Sequence, residues 1–381
     1  MQPKLKVMTV FGTRPDTIKM APVVHALAAE PSIDDVVCVT AQHRQMLDDL
    51  LRLFAIEPDY DLDVMTEDQT LTDITTRVIA GMEPVLQDAR PDVVLVHGDT
   101  TTSTSAALAA FYQHVEVGHV EAGLRTSDRW LPYPEEMNRR LTGTIASYHF
   151  APTALAAEHL RAESVNGDDI IVTGNTVIDA FLETAQRKDL PPPPRWDELD
   201  PARPIVVITA HRRENHAHMP EMCEAMREIA ELPMQPQLYW PVHPSPRVAP
   251  VAHEILGGVP GVVLVDPIDY AGMVVAVKGS TFVLTDSGGL QEEAPCLGKP
   301  VVVMRNETER PEGVEAGTLV LAGNRRKRIL DAATRLLTDR EEYAAMARAA
   351  NPYGDGRAAG RIVAWLLARL RDGKYPAPYA P

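Results

Sequence analysis

Residues 5–20 read Leu5-Lys6-Val7-Met8-Thr9-Val10-Phe11-Gly12-Thr13-Arg14-Pro15-Asp16-Thr17-Ile18-Lys19-Met20. The apolar run Leu5–Val10 ends at Phe11-Gly12-Thr13-Arg14-Pro15, a tight turn into a helix that carries Lys19. A near-continuous apolar strand is what a parallel sheet covered on both faces requires, because neither face meets water. The same unit recurs outward from this stretch. Val36–Thr40, Val93–Val96, Val115–Val120, Phe150 and Ile170–Val172 read as further strands, with helices over Met20–Ala29, Leu71–Gln87 and Ser103–Tyr112.

A second series follows, with strands at Ile205–Ile208, Leu238–Trp240, Val262–Val265, Phe282–Leu284 and Val301–Val303. Its helices are expected over Pro220–Glu231, Tyr270–Lys278, Leu290–Leu297 and Arg325–Leu337. Strand–helix alternation throughout predicts an α/β fold. Between the series lies Pro191-Pro192-Pro193-Pro194, extended by Pro201 and Pro204. Four consecutive prolines exclude helix and central strand, so a stiff linker is expected, dividing residues 1–187 from 188–357. One more apolar helix, Ala358–Leu370, precedes a Pro-rich tail expected to be disordered from about Pro376.

A chain of 381 residues suits about two domains, and 45% apolar with only 5% aromatic residues means an aliphatic core. The net charge of −16 argues against a duplex nucleic-acid partner. It leaves room for an anionic small molecule, which needs only local positive charge. Lys4 and Lys6 interrupt any leader-like apolar run, and no stretch has the length of a membrane span. With three widely spaced cysteines, Cys38, Cys223 and Cys296, the expected location is the reducing cytoplasm.

Ligands of open α/β sheets bind beyond the carboxyl ends of the strands. Those ends carry Gly12-Thr13-Arg14, His97-Gly98-Asp99-Thr100, Glu121-Ala122-Gly123-Leu124-Arg125, His211-Arg212-Arg213-Glu214 and Asp286-Ser287-Gly288-Gly289. The small residues of the last turn let backbone N–H groups approach a phosphate at a helix start. Arg14, Lys19, His211, Arg212, Arg213 and Arg310 form the candidate diphosphate-neutralising set. Of the two carboxylates in the first turn after Gly289, Glu292 and Glu293, one can complement the helix dipole while the other accepts from a ribose.

Asp99, Glu121 and Glu135 are the candidate proton-transfer groups. Asp99 and Glu121 end two strands expected to be neighbours, and Glu135 is expected to pair with Arg139 at helical spacing. Neighbouring carboxylates raise one another's proton affinity, so one can be acid while another is base. His211, His216 and His218 lack ligand spacing, and no metal site is expected.

These motifs together resemble the non-hydrolysing UDP-N-acetylglucosamine 2-epimerases over nearly the whole chain. The resemblance also takes in Pro134-Glu135-Glu136 with Asn138-Arg139, Thr173-Gly174-Asn175-Thr176, Thr308-Glu309-Arg310-Pro311-Glu312 and Asn351-Pro352-Tyr353-Gly354. It implies two Rossmann-like domains facing across a cleft, glycosyltransferase-B-like, with the helix at about 358–371 packed back on the first. It further implies a homodimer with no cofactor. The site residues it implies are catalytic Asp99, Glu121, Glu135 and His211, and substrate-binding Arg14, Lys19, Arg139, His243, Ser287, Gly288, Gly289, Glu293 and Arg310.

The implied reaction interconverts UDP-GlcNAc and UDP-ManNAc by eliminating and re-adding UDP through a 2-acetamidoglucal. The alternative is the same elimination on a variant UDP-sugar, or with hydrolysis to free ManNAc and UDP. Gln42, His43 and Gln45 match contacts for an activating second UDP-GlcNAc, although Asp68 stands where a basic residue is usual. The chain also departs from the family's pattern at Asp16, where Glu is usual, at Pro244-Ser245, and at Met273 in place of an aromatic.

Overall fold

The computed structural model describes residues 3–41, 44–66, 68–126 and 128–381, with only the backbone of residues 44–46. The chain divides into two compact units, Met1–Ala180 with Tyr353–Ala380, and Phe181–Pro352.

The first unit is built on a seven-stranded parallel sheet. Its strands are β1 (Leu5–Phe11), β2 (Ile33–Val39), β3 (Tyr60–Asp61), β4 (Val93–His97), β5 (Glu116–Val120), β6 (Tyr148–Ala151) and β7 (Ile170–Val172). They lie in the order β3-β2-β1-β4-β5-β6-β7. The central strands are the most apolar: every residue of β4 is buried, as is every residue of β1 except Lys6. The first helix, Arg14–Ala28, begins earlier than its apolar periodicity suggests. The Thr13 side chain caps it by accepting from the Asp16 N–H, and Pro15 fits the first turn, where its missing N–H costs nothing.

The second unit carries β8 (Ile205–Thr209), β9 (Gln237–Pro241), β10 (Val262–Val265), β11 (Phe282–Thr285), β12 (Val301–Val303) and β13 (Leu319–Leu321). This six-stranded sheet is also parallel, in the order β10-β9-β8-β11-β12-β13. Tyr239 and Trp240 are fully buried within it. The Tyr239 hydroxyl donates to the Pro194 carbonyl at 2.9 Å, and Trp196 meets the Tyr239 ring edge-on at 4.9 Å. The proline run is therefore fastened to this unit at its end, with Pro193 buried and Pro191, Pro192 and Pro194 exposed. β3 and β13, at two and three residues, are too short to give a periodic signal in sequence.

The helix Ala358–Leu370 belongs to the first unit, where Trp365 packs edge-on against Phe150 at 5.5 Å and Tyr148 at 5.2 Å. The tail beyond Pro376, expected to be disordered, is instead tied down. The Tyr379 N–H donates to the Val172 carbonyl at 2.7 Å, and the Arg361 guanidinium lies 5.3 Å over the Tyr379 ring. Backbone pairing at the end of an edge strand plus a cation–π contact explains the difference. Among the described residues no helix is long and apolar enough to cross a membrane.

Strand order reverses between β1 and β4 in one sheet and between β8 and β11 in the other. Connections diverge at these switch points, which leaves a crevice at the carboxyl ends of the strands. Gly123, just past β5, sits at φ +92°, and a Cβ there would fall 2.2 Å from the Ala156 carbonyl oxygen. We predict that Gly123→Ala costs about 2 kcal/mol or more in urea unfolding. A midpoint equal to wild type would contradict this packing.

Candidate active site

At the first switch point the backbone turns sharply after β4 and β5, which pair with His97 opposite Val120. Gly98 takes φ +61°, and its N–H donates to the Val120 carbonyl at 2.8 Å. His119 Nε2 donates to the Gly98 carbonyl at 2.7 Å, since a carbonyl can only accept. Burial depresses His119 to about 3, so the ring is neutral and serves as a brace.

Glu121 follows directly and adopts φ +62°, a left-handed conformation that costs a non-glycine residue about 1–3 kcal/mol. That turn aims a side chain only 8% exposed into the crevice. Its Oε1 accepts from Asn175 Nδ2 at 2.9 Å and is ion-paired with Lys19 from the first helix. Its Oε2 lies 3.6 Å from His97 Nε2. Asn175 is itself fixed, with its N–H donating to the Tyr353 carbonyl at 2.6 Å and its Oδ1 accepting from Val177 N–H at 3.1 Å. The returning C-terminal segment thus supports the carboxylate through Asn175.

Asp99 is ion-paired with Arg139, and the Asn138 side chain donates to the Asp99 carbonyl at 2.9 Å. Burial raises the Asp99 carboxyl above the usual range; Arg139 opposes the rise, and the charge of Glu121 adds to it. Asp99 therefore sits near a second carboxylate, Glu121, that is held by Lys19 and Asn175.

Arg139 does not pair with Glu135. It bonds Asp99 and reaches Glu136 at 3.5 Å, because three residues along this helix face the same side and Asp99 supplies the stronger partner. Glu135 starts the helix Glu135–Ile145, and among the described residues its buried Oε2 has no hydrogen-bond partner. Lys19, expected among the diphosphate groups, is committed to Glu121. Arg14 is exposed at the head of its helix. Gln42 and His43 lie outside the described residues, as does the side chain of Gln45.

The second unit gathers a cationic cluster at its own switch point. Asp286, fully buried just past β11, accepts from the backbone N–H of His211 at 3.0 Å, from that of Arg212 at 2.9 Å and from Asn215 Nδ2 at 3.1 Å. This carboxylate shapes the loop after β8. Burial lowers the His211 imidazole below its ordinary value, with Asp286 opposing, so the ring is neutral near pH 7. His211 stacks on exposed His243 at 5.6 Å. A Cβ built on Gly288 would lie 3.4 Å from one Arg212 nitrogen and 3.9 Å from one of Arg310, so both guanidinium groups converge on the Ser287-Gly288 turn. Arg310 is also ion-paired with Glu292. Glu293 lies beside Gly289, with its carboxylate oxygens 3.7 Å from a Cβ built there. Arginine forks and backbone N–H groups around a small-residue turn suit an oxygen-rich dianion.

Asp16, His97, Asn175 and Asp286 are the partners that sequence reading missed as site residues. Each acts through a contact far along the chain, and no local pattern encodes such a contact. Among the described residues no group of three or more His, Cys, Asp or Glu could hold a metal ion.

Two parallel α/β units with charged residues at their switch points have the architecture of the glycosyltransferase-B-like enzymes. The family model described as UDP-N-acetylglucosamine 2-epimerase matches residues 25–367. The UDP-N-acetylglucosamine 2-epimerase of Yersinia pestis is 52% identical over 366 residues, covering 94% of this chain and 97% of that one. A crystal structure of a UDP-N-acetylglucosamine 2-epimerase shares 48% identity over the full length of both chains, with a TM-score of 0.93. The Neisseria meningitidis UDP-GlcNAc 2-epimerase, solved bound to UDP-GlcNAc, is 45% identical with a TM-score of 0.85, covering 96% of this chain and all of that one. This chain belongs to the UDP-N-acetylglucosamine 2-epimerase family, a family of isomerases.

Arg139 opposes the burial that raises Asp99, so Arg139→Gln is predicted to push the Asp99 carboxyl further up. Carbon-13 NMR titration of labelled aspartates, with Asp99→Asn for assignment, measures it. An unmoved or lowered value would contradict the pairing.

Proposed function

We propose that the chain interconverts UDP-GlcNAc and UDP-ManNAc by expelling UDP and adding it back. The hydrogen on carbon 2 is too weakly acidic for direct removal, because no carbonyl adjoins that carbon. Departure of UDP gives carbon 1 oxocarbenium character, and the neighbouring hydrogen becomes acidic. Loss of both leaves a 2-acetamidoglucal. A proton delivered to the opposite face, with UDP re-added, yields the epimer.

In this reading Glu121, paired with Lys19, is the base, and Asp99, whose carboxyl burial raises above its usual range, is the acid for the other face. Glu135, whose inner oxygen has no partner among the described residues, assists at the sugar. Arg310, Arg14, neutral His211 and the Ser287–Gly289 turn stabilise the charge growing on the departing diphosphate, with Arg139 orienting Asp99 and Glu293 at the ribose. Such preorganised donors are each worth about 3–4 kcal/mol at a transition state. The reading requires one UDP-sugar to engage both clusters. The observation that carries it is the pair of carboxylates at the β4 and β5 ends, Asp99 held by Arg139 and Glu121 held by Lys19 and Asn175. Support also comes from the Neisseria meningitidis relative, solved with UDP-GlcNAc.

Proton NMR of the wild-type protein with UDP-GlcNAc in heavy water tests the reading. Deuterium should enter carbon 2 of the recovered sugar nucleotides as UDP-ManNAc appears, with no free sugar accumulating. Free ManNAc with UDP would establish the hydrolytic alternative, and recovery of unlabelled UDP-GlcNAc alone would overturn the reading. Arg14→Ala should weaken UDP binding as well as turnover, measured by calorimetry and by rate. No effect on either would remove Arg14 from the site.

A further inference from the structure

An epimerisation through a planar intermediate leaves the enzyme out of register. One face's group has gained a proton and the other's has lost one, so both must reset before the next turnover in the same direction. For a carboxylate as enclosed as Glu121, the bulk solvent is a poor source of that reset. The protein must therefore hold somewhere for the proton to go.

Behind Glu121 lies a second buried carboxylate with an imidazole between the two. Asp16, from the first helix, and His97, at the end of β4, are each 2% exposed. Asp16 Oδ1 is 3.4 Å from His97 Nδ1, and Asp16 Oδ2 accepts from the Thr100 hydroxyl at 3.1 Å. A carboxylate accepts only, so Nδ1 carries the hydrogen and the Nε2 lone pair faces outward. Among the described residues Nε2 has no hydrogen-bond partner, and it looks at Glu121 Oε2 across 3.6 Å. A buried imidazole nitrogen without a partner is a destabilising feature that calls for an explanation. The charged groups facing His97 are Asp16 and Lys19 from the first helix and Glu121 from the end of β5, with neutral His119 on β5 and Asp99 beyond Glu121. Asp16, Glu121 and Lys19 sum to one net negative charge, so a single proton on the imidazole brings the cluster to neutrality.

We propose that Asp16 and His97 are positioning residues that act through Glu121, with Asp16 holding the His97 Nε2 acceptor ready to receive its proton. This inference rests on the epimerase reading above. The carbon 2 hydrogen leaves as a proton to Glu121, while its C–H electron pair becomes the C1–C2 π bond and the C1–O pair departs with UDP. The Glu121 O–H then passes its proton to the Nε2 lone pair of His97. That regenerates the carboxylate and gives an imidazolium whose Nδ1–H stays on Asp16. The reverse reaction undoes each transfer; a second turnover in the same direction begins once His97 has given its proton to solvent water and Asp99 has taken one from it.

The pH profile of kcat/KM distinguishes this from a merely structural role, because protonation of the cluster removes the base and sets the acidic limb. Taking away the anion behind the imidazole weakens its hold on a proton, so the limb of Asp16→Asn should move to lower pH. Asp16→Glu, which keeps the charge, should restore the wild-type limb. His97→Gln keeps a buried polar side chain but cannot carry the proton; it should lower kcat on the order of tenfold, less than the 10²–10⁴ of a direct acid or base. UDP affinity by calorimetry should stay near wild type in all three, which separates the effect from misfolding. If wild type shows no carbon 2 exchange in heavy water, the epimerase reading falls and this inference with it. If wild type exchanges but His97→Gln keeps full kcat with an unmoved limb, the pair alone is overturned. A loss of rate in Asp16→Asn and His97→Gln with no movement of the limb would likewise overturn it, as simple damage to packing.

Discussion

The site depends on one buried charge. Glu121 holds a carboxylate in a crevice where an unpaired ion would be prohibitively costly. The fold offsets that cost with Lys19 from the first helix and Asn175 from the loop after β7. The left-handed backbone at Glu121 is part of the same arrangement: it swings the side chain back over the ends of β4 and β5, where those partners wait. Removing any one of these contacts loosens a group whose usefulness lies in being ionised and immobile.

The second unit meets its opposite need by the same means. There a buried carboxylate, Asp286, draws together the backbone of His211 and Arg212 and so shapes a loop that presents cationic and neutral donors. In each unit an anion inside the protein positions the groups that would face the ligand. Both anions stand at the carboxyl ends of parallel strands, Asp286 after β11 at its sheet's switch point and Glu121 after β5, the strand next to its own.

Much of this was legible in the sequence, for physical reasons. Central strands such as Val93–Val96 are covered on both faces and must be apolar, so they announce themselves, and the residues that follow them are forced to the carboxyl edge. That logic places Asp99, Glu121, His211 and Ser287 without any coordinates. What remained hidden was partner choice. Sequence spacing offered Arg139 to Glu135, yet the fold gives it to Asp99, forty residues away. Lys19 looked like a phosphate ligand because it follows a Gly-Thr-Arg turn, but its first helix points it at Glu121. The tail past Pro376 carried only composition, and its anchoring on Val172 depends on an edge strand that composition does not reveal.

The central claim is that the caged Glu121 carboxylate removes the carbon 2 hydrogen, and Glu121→Gln tests it most directly. The amide fills the same volume but cannot take a proton. Incubated with UDP-GlcNAc in heavy water, this variant should return the substrate with hydrogen intact at carbon 2, while binding UDP within about threefold of wild type, a difference under 1 kcal/mol. Deuterium entering carbon 2 at the wild-type rate would contradict the account, and so would a loss of UDP affinity that parallels the loss of exchange.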